Sequence, residues 1–339
     1  MDSLKKFTGV ILAILFVLTA VPALIFFNFD RRAFTAETYQ KAFANADFYS
    51  NLPAVLAETM LSASTDKSQL PIVMRGMSQQ AWEDFFREML PQETLKVMGD
   101  EILSSTFAYL NMQVNSVQIS LVPLKNSMVS DLGTQAIFSL LNTQPDCTFE
   151  QIAQTTISLL NNGEIQFCKP PVEFTSMLAP VIQGQMQFAA LAVPDQISLL
   201  NAPLENDPRV KLQTARMFMR LSPILPLALF LLMTIFTVNS LKSWLGWWGV
   251  PLFITGILAS LMSLIGAPIF GVIIQRILVD RMPAFLPTIL LGYAGKLASV
   301  MLQALLNPIL WQGLAIASIG LILAAGSYFI NGSSRSNHV

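Results

Sequence analysis

Apolar and polar positions in this 339-residue chain separate into long uncharged apolar runs around one polar interval. Phe7 to Phe27 carries no charge over 21 residues and follows Lys5 and Lys6. As a helix it is long enough to cross a hydrocarbon core about 30 Å thick. It reads as a retained signal-anchor rather than a cleaved signal peptide, because the run is too long for a signal core and Ala20-Val21-Pro22-Ala23 is a poor cleavage site. Further uncharged runs cover Leu221 to Leu241, Trp247 to Ile274 and Ile309 to Ile330. Trp244, Trp247, Trp248 and Trp311 stand at their ends, where amphipathic rings favour the headgroup region.

Pro283 to Pro308 is nearly all apolar but carries Lys296 at its centre. Thr288, Gly292, Gly295, Lys296, Ser299 and Gln303 fall on one helical face. A lysine at the middle of a spanning helix costs about 3 kcal/mol. The segment is therefore expected to be a non-spanning amphipathic helix, at the interface or packed under the polar body on that body's side of the membrane. Its narrow line of small groups is expected to pack against protein, and Pro308 to turn the chain into the last span. A fifth span is the alternative.

Within the polar interval, helices are expected from Thr35 through Phe43, from Ser78 to Leu90 and from Pro91 to Leu110. Thr148 and Gln151 have the spacing of a capping box for a helix through Leu160. Val117–Leu121 and Gln196–Leu200 share Gln-Ile-Ser-Leu and a β-compatible pattern, which invites pairing of two short strands.

The expected fold class is an integral membrane, mainly α-helical protein. It has one N-terminal membrane helix, a mostly helical extracytoplasmic domain with a minor β element, and a C-terminal cluster of three membrane helices plus an amphipathic helix. By residue number the expected parts are a cytoplasmic N-terminus 1–6, a first span 7–28, an acidic domain 29–220, spans 221–240 and 247–274, an amphipathic helix 283–308, a span 309–330 and a cytoplasmic tail 331–339.

Composition sharpens this picture through its segregation. Hydrophobic residues make up 53% and charged residues 12%, about half the charged fraction of soluble domains. Of the 21 acids, 19 lie between Asp30 and Asp207. Arg31, Arg32, Arg209, Lys211, Arg216 and Arg220 flank that stretch as a basic collar, which suits a body standing off a membrane surface and argues against nucleic-acid binding.

Cys147 and Cys168 are the only cysteines, and each sits among turn residues. They are expected to form a disulfide, which requires an oxidising compartment; two reduced buried thiols are the alternative. Together with the Lys-Lys-apolar start, the disulfide places the N-terminus inside and the domain outside. The distribution of lysine and arginine argues the reverse, but that rule weakens for long translocated domains.

Few catalytic arrangements are open to such a chain. His338 is the only histidine and lies in the polar tail, which removes Ser-His and Cys-His catalysis and a structural Cys/His zinc site. Glu83, Asp84 and Glu88, or Asp100 and Glu101, have the spacing of solvated helix faces rather than of a catalytic dyad. Met74, Met77, Met217 and Met219 read as apolar filler, not as a soft-metal site. No phosphate loop, metalloprotease motif or calcium loop is present, and no cofactor or metal is expected. Small residues recur four apart, Ala259, Ser263, Ala267 and Gly271 in one span, then Gly313 with Ala317 and Gly320 with Ala324 in another. Such stripes allow close helix packing, within the monomer or between copies. The expected function is a non-enzymatic membrane protein of the cell envelope whose external domain binds a protein or surface ligand. The alternative is an accessory subunit of a transporter or enzyme complex. The lipid bilayer, a protein partner or a second copy are the expected associates.

Overall fold

A computed structural model describes residues 2–63, 77–148, 150–151, 168–203, 205–281 and 288–333. The protein is mostly helical, with four helical stretches long and apolar enough to span a membrane: Lys5–Ala33, Pro208–Thr237, Leu241–Ile273 and Gly292–Phe329. The first lies in α1 (Asp2–Ala33), which stays helical past the apolar run and through Asp30, Arg31 and Arg32. The second is broken in two, α9 (Pro208–Leu221) and α10 (Ile224–Thr237), with Pro223 as the N-cap of the latter. The other two are α11 (Leu241–Arg281) and α12 (Thr288–Ser333), which pack along each other as a hairpin.

Between α1 and α9 the chain builds a helical body. Its helices are α2 (Ala36–Asn45), α3 (Phe48–Ala63), α4 (Gln79–Met89), α5 (Gln92–Leu110), α6 (Val122–Val129), α7 (Asp131–Asn142) and α8 (Val172–Ala192). Trp82, Phe85 and Met89 recur at helical spacing on α4 and meet Ala57 of α3, Ala136 and Leu140 of α7 and Met186 of α8 in one buried cluster. Ser78 starts α4 as its N-cap by accepting a hydrogen bond from the Ala81 amide at 3.2 Å. A second cluster joins the membrane helices, where Phe16 of α1 packs on Phe230 and Met233 of α10.

The two short segments do pair. β1 (Ser116–Ser120) runs antiparallel to β2 (Gln196–Asn201), with Ile119 opposite Ile197 and a bulge that leaves Leu199 without a partner in the ladder. Val117 and Ile119 point into the body, whereas every residue of β2 is exposed. The Thr148 amide donates to Gln151 Oε1 at 2.9 Å and the Gln151 amide to Thr148 Oγ1 at 3.3 Å, the reciprocal pattern of a capping box. The helix expected beyond it lies outside the described residues, as do His338 and Met74.

Cys147 and Cys168 form a disulfide with Cα atoms 4.8 Å apart. The backbone closes the same loop, since Cys147 N–H donates to the Lys169 carbonyl at 3.0 Å and Lys169 N–H to the Pro145 carbonyl at 2.8 Å. Thiol titration of the unfolded protein should therefore find no free thiol without reductant and two after reduction. Two thiols before reduction would contradict the bond.

The division of 283–308 from 309–330 is corrected by α12, which runs without a break through Pro308. A proline inside a helix removes one hydrogen bond and costs about 3 kcal/mol. Ending a helix instead leaves four amides and four carbonyls without helical partners, the larger penalty in apolar surroundings. Hydroxyls of α11 also supply donors on both sides of the proline: Ser263 donates to the Leu306 carbonyl at 2.8 Å and Ser260 to Leu310 at 3.4 Å. The expected packing of the polar line is corrected too. Lys296 and Gln303 are exposed, and a side chain at Gly292 or Gly295 would meet open space. A 46-residue helix is about 69 Å long, twice a hydrocarbon core. Its N-terminal part continues beyond the level of Asn28, to which Gln312 is bonded, and α12 packs against α2 and α3 of the body.

Candidate functional site

Of the charged residues that flank the body, Asp30, Arg209 and Arg216 turn inward and form a collar where the body meets the membrane helices, while Arg31, Arg32, Lys211 and Arg220 are exposed. Arg209, Gln213, Arg216 and Arg220 lie on one face of α9, a helix whose opposite face exposes Val210, Met217 and Phe218. Asp30, in the last turn of α1, is 3% exposed and accepts from Arg216 Nε and Arg220 Nε, each at 2.7 Å. Arg216 also donates to Asn111 Oδ1 and stacks over Phe34, 4.4 Å from the ring centroid. Asn111 in turn donates to the Phe34 carbonyl at 3.3 Å. One carboxylate thus ties α1, α9 and the end of α5 together.

Two turns up α9, Arg209 reads the C-terminus of α5. Its Nη1 donates to the carbonyls of Tyr109 at 3.1 Å and Val114 at 2.8 Å, and its plane lies 4.3 Å from the Tyr109 ring centroid. Gln213 adds a bond to the Leu110 carbonyl at 3.1 Å. A cation at a helix C-terminus satisfies carbonyls that the helix leaves open and complements its dipole. The carbonyls converge because α5 ends in a Schellman turn: Met112 takes φ 59°, its amide donates to Tyr109 and the Gln113 amide to Ala108. Asp207 caps α9 and pairs with Arg209 Nη2 at 2.7 Å. Hydrogen bonding from Arg209 holds the Asp207 carboxyl below the usual carboxylate range.

The collar is built to hold, not to react. Both Asp30 oxygens are engaged by guanidinium groups. Among the described residues no three of His, Cys, Asp and Glu gather into a metal-binding group. Two of the five candidate carboxylates are used locally: Glu83 pairs with Arg87 at 2.5 Å, and Asp100 accepts from the Tyr49 hydroxyl at 3.1 Å. Burial, with Asp100 adding to it, pushes the Tyr49 phenol well above its ordinary pKa.

The small-residue stripes lie mostly on the α11–α12 seam. Ala259 is fully buried and Ser263 bonds across the seam. Gly313 faces Gly256 and Ser260, Ala317 faces Gly256, and Gly320 and Ala324 face Gly249 and Phe253. Ala267 is half-buried, and Gly271 has open space where a side chain would stand. The stripe residues of α12 thus pack inside the monomer. Gly249 and Gly256 complete the seam at a spacing of seven rather than four. Asn28 and Gln312 exchange side-chain hydrogen bonds at 2.7 and 3.1 Å, pinning α1 to α12 just below the collar. No family model, curated protein or solved structure matches the chain.

Proposed function

We propose that the protein is a non-enzymatic integral membrane protein of the cell envelope, whose body between the first two spans stands outside the cytoplasm as a docking platform for another protein. The observation that carries this reading is an apolar face on the body. Val172, Met177, Phe188 and Leu191 of α8 are 67–82% exposed, and Leu199 and Leu200 of β2 add to them. Among the described residues β2 pairs only with β1, so its outer edge is open to a strand from a partner. No lysine or arginine occurs between Lys169 and Arg209, whereas Glu173, Asp195, Glu205 and Asp207 do. An anionic membrane surface is a poor match for that charge; an apolar polypeptide surface with basic residues around it is a good one. The disulfide supports an oxidising location.

A second reading, assembly of the chain into a larger membrane complex, is favoured by the hairpin. Ile265, Ile269 and Phe270 are about half exposed on a helix of 41 residues, about 61 Å long.

A photo-cross-linking side chain at Phe188 or Leu199, in native membranes, should give an adduct with a discrete protein, while one at exposed Val97 of α5 should not. Adducts absent from the first two positions, or equal at all three, would defeat the docking reading. Val97→Cys should react with a membrane-impermeant maleimide on intact cells, and protection there would place the body on the inner side.

A further inference from the structure

We propose that two adjoining cavities at the end of the membrane helices away from the body form one binding site for an anionic phospholipid. The first cavity, about 280 Å³, is polar and lined by Lys5 and Lys6 of α1, Phe236 and Thr237 at the end of α10, Asn239 after it, and Ser243 of α11. The second, about 660 Å³, is a largely apolar groove between α1 and α11, lined by Val10, Ala13, Ile14, Gly246, Val250 and Pro251, with Ser240, Lys242 and Ser327 as further lining residues. Ser243 and Trp247 line both, so the polar recess opens onto the groove. Among the described residues, no acidic residue lines either cavity.

The order of the chemistry matches a lipid. Val10 and Ile14 lie four and eight residues beyond Lys6, about 6 and 12 Å deeper along α1. A phosphate held by the two ammonium groups would therefore leave its acyl chain beside the groove, with Trp247 at the boundary where amphipathic rings favour the interface. The recess is walled by close packing. A Cβ on Gly9 would stand 2.3 Å from Thr237 Cγ2 and 3.1 Å from the Trp247 ring, so glycine there lets α1 close against α10 and α11. At Gly246 the opposite holds: a Cβ would meet only Ser327, at 3.6 Å and beyond, so larger side chains enter the groove without collision. Both volumes fall within or near the range of ordinary ligand pockets.

The test is native mass spectrometry of the full chain released from detergent micelles containing phosphatidylglycerol or phosphatidylcholine with identical acyl chains. One phosphatidylglycerol should remain bound, in preference to phosphatidylcholine. Lys5→Gln with Lys6→Gln should weaken its retention more than tenfold, at about fivefold for each lysine. Gly246→Leu, which keeps both lysines and fills the groove, should weaken it several-fold, and Val250→Trp at an exposed lining position should do the same if the first variant misfolds. Arg31→Gln at the other end of α1 should leave retention unchanged. Glycerol phosphate at millimolar concentration should not bind. If it binds equally to the wild type and to Gly246→Leu, the site takes a free phosphate and the lipid assignment falls. Equal retention of the two lipids, or retention unaffected by both groove-filling variants, overturns the proposal.

Discussion

Asp30→Ala should destabilise the protein by about 3–5 kcal/mol, because it leaves the Arg216 guanidinium, 5% exposed, buried without its counter-charge. In a thermal unfolding series in detergent this corresponds to a midpoint drop on the order of 10 °C. The effect should be asymmetric around the carboxylate. Arg220 shares the same partner at the same 2.7 Å, but its side chain is 57% exposed, so Arg220→Ala should cost no more than about 1 kcal/mol. Asp30→Leu combined with Arg216→Met should lose less than the sum of the single changes, since removing both members of a buried pair leaves no orphaned charge. Near-equal effects at Asp30 and Arg220, or full additivity in the pair, would mean that water reaches the collar and that it does not hold the body on its helices.

How much of this was legible in the sequence depends on the range of the contacts. The capping box of Thr148 and Gln151 is a local pattern and stands where that pattern placed it; the four apolar runs likewise lie in four helices long and apolar enough to span, though the second and fourth begin well before the expected bounds. The strand pair was legible at longer range only because Gln-Ile-Ser-Leu occurs twice, and the disulfide only because the cysteines are two. The collar carried no such signal. Asp30 and Arg216 are 186 residues apart, and in sequence both read as ordinary flanking charges on an exposed surface. Their burial depends on α9 turning its polar face to α1 and α5, which only the tertiary fold decides. Helix α12 shows the opposite failure: Pro308 has a strong local meaning, overridden because a helix end in apolar surroundings costs more than one missing hydrogen bond. Helices α3 and α8 contain Pro53 and Pro180 for a related reason. Their packing against α4 and α7 in the body core outweighs the local break.

Gly256→Val should disrupt the α11–α12 hairpin, with a loss at or above the upper end of the roughly 1–3 kcal/mol typical of overpacking. A Cβ at Gly256 would lie 2.3 Å from the Ala317 amide nitrogen and 2.5 Å from the Gly313 carbonyl oxygen. Both atoms are backbone, so no side-chain rotation relieves the collision and the two helices must move apart. The seam repeats this one heptad earlier, where a Cβ at Gly249 would lie 2.4 Å from the Ala324 nitrogen, and on the facing helix, where one at Gly320 would lie 2.3 Å from the Phe253 nitrogen. Separation at any of these points also lengthens the hydroxyl bonds from Ser260 and Ser263 that flank Pro308. Glycines outside the seam should respond in the other direction. Gly271, Gly292 and Gly295 have nothing within 4 Å of the place a Cβ would occupy, and alanine there removes the entropic penalty of a helical glycine, stabilising by up to about 1 kcal/mol. A thermal series of Gly249, Gly256 and Gly320 to valine beside Gly271, Gly292 and Gly295 to alanine should therefore split by sign. If the seam variants unfold at the wild-type temperature, the close contact of α11 with α12 is not what holds the hairpin together.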